Sequence, residues 1–391
     1  MDTRDGSGAT GARSLTVSGP DLIGDFESLV IPHPNHIRAK AAIASLHARF
    51  RPPGTRPLKA RALLIVGNSG AGKTTALESY HRDYPDLTLD DRGTLRSEPA
   101  LAARMQDGDI RRIIYVEAPK RTTQRALAAA MLGKFGYKTR EHWNTSDIID
   151  KICFYSGEMG TEMIFIDEGH HMVSEKNEDA TEDNSEFIKS ILNRAKTQIV
   201  IAGLPKLLML RTHEQVRRRI QPSLLLLPYN WSTRQGRISY CAILMMFENA
   251  MGLPKPSMLS HHDKARRLYV ATGGEPGITS KFLSEALSRA VARHLESICL
   301  ELLGEVYEAF SAEYREEMLL DFDAILDESA MTAIVGAGSR EKNPFLCSEA
   351  QLKELWALSR AEQEKAEIQD CSRRTKLRGT GRQPFSPFVR T

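Results

Sequence analysis

The stretch Gly67-Asn68-Ser69-Gly70-Ala71-Gly72-Lys73-Thr74 decides the fold. It matches the pattern GxxxxGK[ST] and directly follows the apolar run Arg61–Val66 (RALLIV). Glycines allow a tight turn in which several backbone N–H groups converge on phosphate oxygens, and a helix beginning at Lys73 adds its positive dipole end. The stretch therefore predicts a phosphate-binding loop between a buried strand and a helix.

The residues of this loop are assigned separate roles toward ATP. Lys73 is expected to reach the β- and γ-phosphates, where it also assists catalysis, and the Thr74 hydroxyl is expected to ligate Mg²⁺. A chance glycine-rich turn is the alternative, and the order of strand, loop and helix argues against it. The residues assigned to nucleotide binding are Gly67, Asn68, Ser69, Gly70, Ala71, Gly72, Lys73, Thr74 and Thr75.

A pair of acids follows the apolar run Met163–Ile166 (MIFI). At the carboxyl end of a strand, Asp167 can hold Mg²⁺ and Glu168 can polarise the water that attacks the γ-phosphate. An ordinary strand with an acidic turn is the alternative, but the pair comes about 90 residues after the phosphate loop, which favours ATP hydrolysis.

Two histidines, His170 and His171, come immediately after the acids. We interpret them as polar residues near the nucleotide or a partner surface rather than as metal ligands, because no further ligands follow at suitable spacing. The acid-rich stretch Glu175–Glu186 is interpreted as a solvated loop.

Short apolar runs alternate with amphipathic stretches over the first half of the chain. The alternation predicts an α/β fold, with a parallel sheet flanked by helices. The predicted strands are Arg61–Val66, Arg112–Ala118, Met163–Ile166, Gln198–Ala202 and Ser223–Leu227. The predicted helices between them are Lys73–Tyr80, Thr122–Phe135, Ser146–Met159 and Ser185–Ala195. After Pro228 we predict a small helical domain from Thr233–Met251, His262–Thr272, Ile278–Leu303 and Glu305–Phe310.

The 391 residues exceed one ordinary domain. We expect a disordered lead over 1–25, a core over 26–230, a helical domain over 231–310 and an extension over 311–391 with a basic, flexible tail.

No apolar run reaches the roughly 18 residues that cross a bilayer. The five cysteines form no CxxC pair, which favours free thiols in a reducing cytoplasm. A net charge of +3 does not by itself indicate nucleic acid.

Three arginines, Arg217-Arg218-Arg219, lie just before the last predicted strand. Phosphoryl transfer builds negative charge on the γ-phosphate, and an arginine from a neighbouring subunit can neutralise that charge. A solvated basic cluster would explain their position equally well.

Several further blocks resemble the TniB/TnsC family of transposon-encoded AAA+ ATPases, and the resemblance spans about residues 30–303. The blocks are Ile31-Pro32-His33-Pro34, Asp167-Glu168-Gly169-His170, Glu186–Asn193 leading to Ile199–Gly203, Leu227–Trp231, Gly252–Ser257 and Thr272–Gly277. The resemblance implies an AAA+ core followed by a helical lid domain, with nucleotide bound between subunits.

Site roles follow from this resemblance rather than from spacing. Arg219 best matches the arginine finger, with Arg218 as second choice. His33 lies in the segment that forms the adenine-side wall, and Lys281 occupies the position of a second phosphate sensor. One departure is Ala202-Gly203, which offers no side-chain donor where many AAA+ proteins carry a polar sensor.

The resemblance also implies partners. Family members assemble on double-stranded DNA as ATP-dependent homo-oligomers, either rings or helical filaments, that recruit transposase and are guided by a target-selection protein of the TniQ type. The predicted DNA contacts are Lys120, Arg121, Arg125 and Lys134, which would bind phosphates with little sequence preference. A solvated helix face is the alternative.

These inferences converge on an ATPase adaptor for DNA transposition, cytoplasmic and associated with the nucleoid, with ATP hydrolysis driving disassembly. Two alternatives stay open. An AAA+ replication initiator or loader would share the core and the DNA contacts, whereas a signalling ATPase would use its tail on proteins. Salt-sensitive, ATP-dependent duplex binding would exclude the signalling ATPase.

Overall fold

The computed structural model describes residues 19–51, 58–87, 110–120, 122–174, 178–212, 217–320 and 343–355. The chain forms two compact units. We call residues 30–239 with 274–278 the core unit, and residues 1–29, 240–273 and 279–391 the helical unit. Each name refers to the described residues of that unit.

A five-stranded parallel sheet forms the centre of the core unit. Its strands are β1 (Ala62–Gly67), β2 (Ile113–Glu117), β3 (Met163–Asp167), β4 (Gln198–Gly203) and β5 (Leu224–Leu226), in the order β2-β3-β4-β1-β5. Every residue of β1, β3 and β4 is buried, which explains why these strands read as continuous apolar runs. The five predicted strands are confirmed to within one residue at each end.

Ten helices are described along the chain. They are α1 (Gly19–Glu27), α2 (Pro34–His47), α3 (Lys73–Arg82), α4 (Gln124–Lys134), α5 (Thr145–Glu158), α6 (Glu178–Arg194), α7 (Arg234–Met251), α8 (His262–Thr272), α9 (Pro276–Ala292) and α10 (Leu300–Leu320). Short 3-10 turns cover Gly169–Met172 and Pro205–Arg211. No helix among the described residues has both the length and the apolar character needed to cross a membrane.

Helices cover both faces of the sheet. Side chains of one face, such as Leu64 and Ile164, pack with residues of α4, α5 and α6. Side chains of the other face, such as Leu63 and Phe165, pack with residues of α2 and α3. Because successive residues of a strand point to opposite faces, one apolar run supplies both halves of the core.

The helical unit has a core of its own. Phe26 of α1 packs on Phe247 of α7 with ring centroids 5.6 Å apart. The buried hydroxyl of Tyr240 hydrogen-bonds to the hydroxyls of Thr272 and Thr279 at 3.0 and 3.1 Å. Residues 343–355 also belong to this unit, where Arg267 donates to the carbonyls of Pro344 and Cys347.

The structure corrects three predicted boundaries. Helix α6 begins at Glu178, so the acid-rich stretch is helical from there rather than a loop. The predicted helix Ile278–Leu303 is broken between α9 and α10, at the segment that contains His294 with φ +55°. The N-terminal segment predicted as disordered overlaps α1 over 19–25; residues 1–18, Arg121 and the basic tail after 355 lie outside the described residues.

Candidate nucleotide site

The phosphate loop lies at the carboxyl edge of the sheet, between β1 and α3. The backbone turns at Gly70 and Gly72, whose φ angles are +78° and +83°. Residues other than glycine rarely adopt these φ angles, so the two glycines permit the turn. Helix α3 begins immediately afterwards at Lys73 and directs its amino end toward the loop.

Lys73 is held inside the loop. Only 7% of the residue is exposed, and its Nζ donates to the carbonyls of Gly67 at 2.9 Å and Asn68 at 2.7 Å. Burial lowers the pKa of Lys73, while the carboxylates of Glu168, Asp167 and Glu275 act in the opposite direction. The ammonium group is therefore a buried positive charge with three acids around it.

The predicted metal-binding oxygens lie next to each other. The Thr74 hydroxyl donates to Asp167 Oδ2 at 2.7 Å, across 93 residues of sequence. Tyr115 of β2 donates to the same oxygen at 2.7 Å, and the Glu168 backbone N–H donates to Asp167 Oδ1 at 2.8 Å. A hydroxyl and a carboxylate are the hard oxygen donors that Mg²⁺ prefers, so the donor set fits this ion.

Glu168 is positioned by an uncommon backbone conformation. Its φ of +51° lies in the left-handed region, which costs on the order of 1 kcal/mol for a residue with a Cβ. Its Oε2 lies 3.0 Å from Nδ1 of the buried His170, without the alignment of a hydrogen bond. Burial, His171, Lys206 and Lys73 together lower the pKa of His170 to about 4, so the imidazole is neutral at pH 7.

The histidines and the acid also form the one metal-compatible cluster among the described residues. Ligand atoms of Glu168, His170 and His171 lie within 4.8 Å of one another. All three residues come from one short turn, and Glu168 is the predicted catalytic base, so the cluster coincides with the residues predicted for hydrolysis.

The end of β4 explains why the expected polar sensor is missing there. A Cβ at Gly203 would lie 2.8 Å from the backbone nitrogen of His170, closer than non-bonded atoms approach. A side chain at this position is therefore excluded by the 3-10 turn that carries His170. The polar side chain over this strand end comes from that turn and not from β4.

The predicted adenine-side wall lies against the phosphate loop. His33 is buried, and its Nε2 lies 3.6 Å from where a Cβ on Gly72 would be. Its Nδ1 pairs with the Tyr229 hydroxyl at 2.9 Å. Desolvation, with a smaller effect of His36, lowers the pKa of His33 to about 4, so the ring is uncharged near neutral pH.

The arginines before β5 lie at the opposite, amino edge of the sheet. Arg219 donates to Asn193 Oδ1 at 2.6 Å and more weakly to the Ala60 carbonyl at 3.5 Å. Arg217 and Arg218 are exposed. The structure thus does not bring Arg219 to the phosphate loop of its own chain, and its role toward a neighbouring subunit stays a prediction.

The predicted DNA contacts are split between two ends of α4. Lys120 is exposed just before the helix, and Lys134 is exposed at its last residue. Arg125 is exposed as well, but its guanidinium hydrogen-bonds to the carbonyls of Trp143, Arg140 and Glu141. Arg125 therefore holds the loop before α5 in place.

The predicted second phosphate sensor, Lys281, belongs to the helical unit. Its Nζ lies 5.4 Å above the ring of Phe310, a cation–π contact. Its role toward phosphate stays a prediction.

Sequence reasoning missed three residues of the site. Tyr115 carries a polar hydroxyl in an apolar strand. This exception to the apolar pattern was a usable signal for a contact at the sheet edge. Tyr229 contacts His33 and Glu275 lies next to the loop only through tertiary structure. The Tyr229 N–H also donates to the Gly274 carbonyl at 3.1 Å.

The chain is similar to proteins of known family and fold. The family described as "Bacterial TniB protein" matches residues 31–229, which is 199 of 391 residues and half of the chain. No curated protein sequence matches the chain significantly. Among solved structures, Cdc6p from Pyrobaculum aerophilum matches with a TM-score of 0.51 and 15% identity, over 74% of this chain and 70% of that one.

Two further solved structures are similar. The ORC2 protein of Aeropyrum pernix, in ADPNP–ADP complexes, matches with a TM-score of 0.49 and 15% identity over 86% of this chain and 89% of that one. The RuvB Holliday junction branch migration motor of Thermotoga maritima matches with a TM-score of 0.40 and 15% identity, over 77% and 80%.

The predicted fold is confirmed: a parallel sheet with helices on both faces, of the P-loop AAA+ type, followed by a helical region. The family profile covers the phosphate loop, the acid pair and the arginine cluster together. The chain belongs to the family of bacterial TniB proteins.

Proposed function

We propose that this protein is an ATP-hydrolysing, DNA-binding oligomeric adaptor that regulates DNA transposition. The observation that carries the proposal is the meeting of Lys73, Thr74, Asp167 and Glu168 at one corner of the sheet, in a chain of the TniB family. These are the groups that a phosphoryl-transfer site requires.

Each group has a distinct part in the proposed reaction. Lys73 exchanges its two carbonyl partners for β- and γ-phosphate oxygens. Thr74 and Asp167 would hold Mg²⁺, which would neutralise charge on the phosphates. Glu168 accepts the proton of the attacking water once it turns from His170 toward the γ-phosphate.

A neighbouring copy of the chain completes the site. Within the part of the chain that the structure describes, the hydrogen bonds of Arg219 go to neutral groups, a side-chain amide and a carbonyl. A guanidinium gains more from phosphate oxygens than from neutral acceptors, because charge-assisted hydrogen bonds are about twice as strong. This exchange would couple hydrolysis to assembly of the homo-oligomer.

DNA binding is assigned to the ends of α4. Eleven residues at 1.5 Å each separate the ends of this helix by about 16 Å. Lys120, just before the helix, and Lys134, its last residue, would therefore contact different phosphates of one duplex, together with Arg121, which follows Lys120 in the sequence. Arg125 holds the loop before α5 in place. Transposase and a target-selection protein of the TniQ type are the proposed protein partners of the assembled form.

Assembly on DNA tests this proposal. Purified protein is mixed with duplex DNA and a non-hydrolysable ATP analogue, with ADP, or with no nucleotide, and oligomers are followed by light scattering and electron microscopy. We expect oligomers on DNA only with the ATP analogue, weakened by Lys120→Ala and by salt. Lys255→Ala is the control, since this exposed lysine in the helical unit pairs with Glu296. Equal assembly without nucleotide would refute the proposal.

A further inference from the structure

The segment Gly274–Ile278 lies directly on the phosphate loop. It belongs to the core unit, although the chain on both sides of it belongs to the helical unit. The Gly277 N–H donates to the Gly70 carbonyl at 2.8 Å. A Cβ at Gly277 would lie 2.7 Å from that carbonyl oxygen and 2.9 Å from the Gly70 Cα, so only glycine permits this approach.

This contact brings Glu275, two residues before Gly277, next to the loop. The residue is 6% exposed and both oxygens of its carboxylate are buried, close to the side chain of Asn68, the second residue of the loop. Burial raises the pKa of Glu275 to about 7, and the Asn68 side chain and the Lys73 ammonium only partly offset this. The carboxyl group is thus buried and faces the lysine expected to bind phosphate.

The surroundings of Glu275 determine what a triphosphate would do to it. Asp167 and Glu168 share the Lys73 ammonium with it, so a single positive charge faces three acids. Asp167 also accepts hydrogen bonds from Thr74 and Tyr115. If Lys73 turns to phosphate oxygens, Glu275 loses its attractive charge and gains negative neighbours.

We propose that ionised Glu275 opposes triphosphate binding, so that ATP binds together with the uptake of one proton by this carboxyl group. The inference rests on the proposed function, because it requires that the loop binds ATP. Like charges in a buried site repel strongly, and the neutral acid removes that repulsion. A protonated Glu275 also gains an O–H that can donate to a phosphate oxygen, which an ionised carboxylate cannot do.

The magnitude follows from the protonation equilibrium. With a pKa of about 7, the carboxyl group is about nine-tenths ionised at pH 8 and about one-tenth ionised at pH 6. Glu275→Gln imitates the neutral acid at every pH. The variant should therefore bind ATP about tenfold more tightly than wild type at pH 8 and almost equally at pH 6.

Isothermal titration calorimetry with ATP and constant Mg²⁺ measures this difference. Titrations at pH 8 in two buffers of different ionisation enthalpy count protons, and we expect nearly one more proton per ATP in wild type than in Glu275→Gln. Both proteins retain His33, His36 and His170. Protons taken up by these histidines therefore cancel in the difference between the two proton counts. The matched control is Glu78→Gln, which removes an exposed carboxylate from α3 and should behave as wild type.

The outcomes separate this inference from the proposed function. If wild type binds ATP but Glu275→Gln binds equally or less tightly at all pH values, with the same proton count, the inference is wrong and the nucleotide site stands. If wild type binds no ATP, the proposed function fails as well. Glu275→Ala removes the same charge without adding an amide, and it replaces Glu275→Gln if thermal unfolding shows that the latter is not folded.

Discussion

Two buried polar clusters lie at opposite edges of the same sheet and are built differently. At the amino edge, Glu162 accepts from His47 Nε2 at 2.8 Å and from two nitrogens of Arg112 at 3.1 and 3.2 Å. His47 pairs with Tyr80 at 3.0 Å through its other nitrogen, and Arg112 lies 4.7 Å above the ring of Tyr84. At the carboxyl edge, one ammonium group faces three carboxylates and itself donates to carbonyls.

The amino-edge cluster is arranged to stabilise the fold, whereas the carboxyl-edge cluster is arranged to bind a ligand. In the amino-edge cluster, the acid has an arginine and a histidine as side-chain partners, so nothing is gained by adding a ligand. The carboxyl-edge cluster has excess negative charge and a left-handed Glu168, features that a cation and a rearrangement would relieve. Changes at the carboxyl edge should therefore alter ligand binding and rate, and changes at the amino edge should alter stability.

The largest effect is expected from Lys73→Ala. Removing the ammonium takes away the only lysine that lies within the loop, and we expect no measurable ATP binding by calorimetry. The protein should remain folded, because the loop carbonyls that Lys73 contacts can be solvated. Lys40→Ala, which breaks an ion pair with Asp83 beyond the other end of α3, is the control and should bind ATP normally. Tight ATP binding by Lys73→Ala would contradict the assignment of the loop.

Arg219→Ala tests whether position at the amino edge always means a structural role. We expect ATP binding to be retained and DNA-stimulated hydrolysis to fall about 10³-fold, as for arginine fingers in other phosphoryl-transfer enzymes. Steady-state phosphate release in the presence of duplex DNA measures the rate. Arg218→Ala is measured beside it. If only that variant loses rate, the finger is Arg218; if neither does, the cluster is a solvated surface.

Glu168→Gln should slow hydrolysis by about 10²-fold or more while leaving ATP affinity near that of wild type, because a general base is lost and the binding groups remain. DNA-bound oligomers should then persist after excess unlabelled DNA is added. The control is Glu117→Gln, an exposed acid at the end of neighbouring strand β2, where it pairs in register with Asp167. Wild-type turnover in Glu168→Gln would assign the role of base to another residue.

The smallest effect on function is expected from Glu162→Gln. Burial alone would raise the pKa of Glu162, but the hydrogen bonds from His47 and Arg112 outweigh burial and lower it. The variant should lose about 2 kcal/mol of unfolding free energy at pH 7. ATP affinity of the folded protein should not change.

The pH dependence of that loss has a definite sign. A lowered folded-state pKa stabilises the protein above the unfolded-state pKa, and this contribution is lost as pH falls through the folded value. The gap in unfolding free energy between wild type and Glu162→Gln should thus be constant near pH 7 and narrow below about pH 4. A gap that widens in acid would show that Glu162 is not held ionised by its partners.

The fold could be predicted because the strands are buried on both faces and the phosphate loop has a distinctive local pattern. The helix boundaries that failed lacked a local signal. In α6 the first buried residues are Thr181, Asn184 and Ser185, so the apolar periodicity starts only at Phe187. The break after α9 contains neither Gly nor Pro; it is held by Ser257, whose hydroxyl accepts from the Ile298 N–H, and by Lys264.

The site was predictable where its residues follow the carboxyl ends of strands. Thr74 follows β1 through the phosphate loop and Asp167 ends β3, and parallel strands bring these ends to one edge of the sheet. Glu275 could not be found in this way. Its place next to the loop depends on Gly277 packing against Gly70, a contact over more than 200 residues with no periodic pattern.

We infer that Thr74 and Asp167 bind a magnesium ion together with the triphosphate that Lys73 binds. The most direct test is the dissociation constant of ATP with Mg²⁺ and with EDTA, for wild type and Asp167→Asn. We predict that Mg²⁺ tightens ATP binding at least about tenfold in wild type and has little effect in Asp167→Asn, which lacks the charged ligand. An equal response to Mg²⁺ in the two proteins, or none in wild type, would contradict the account.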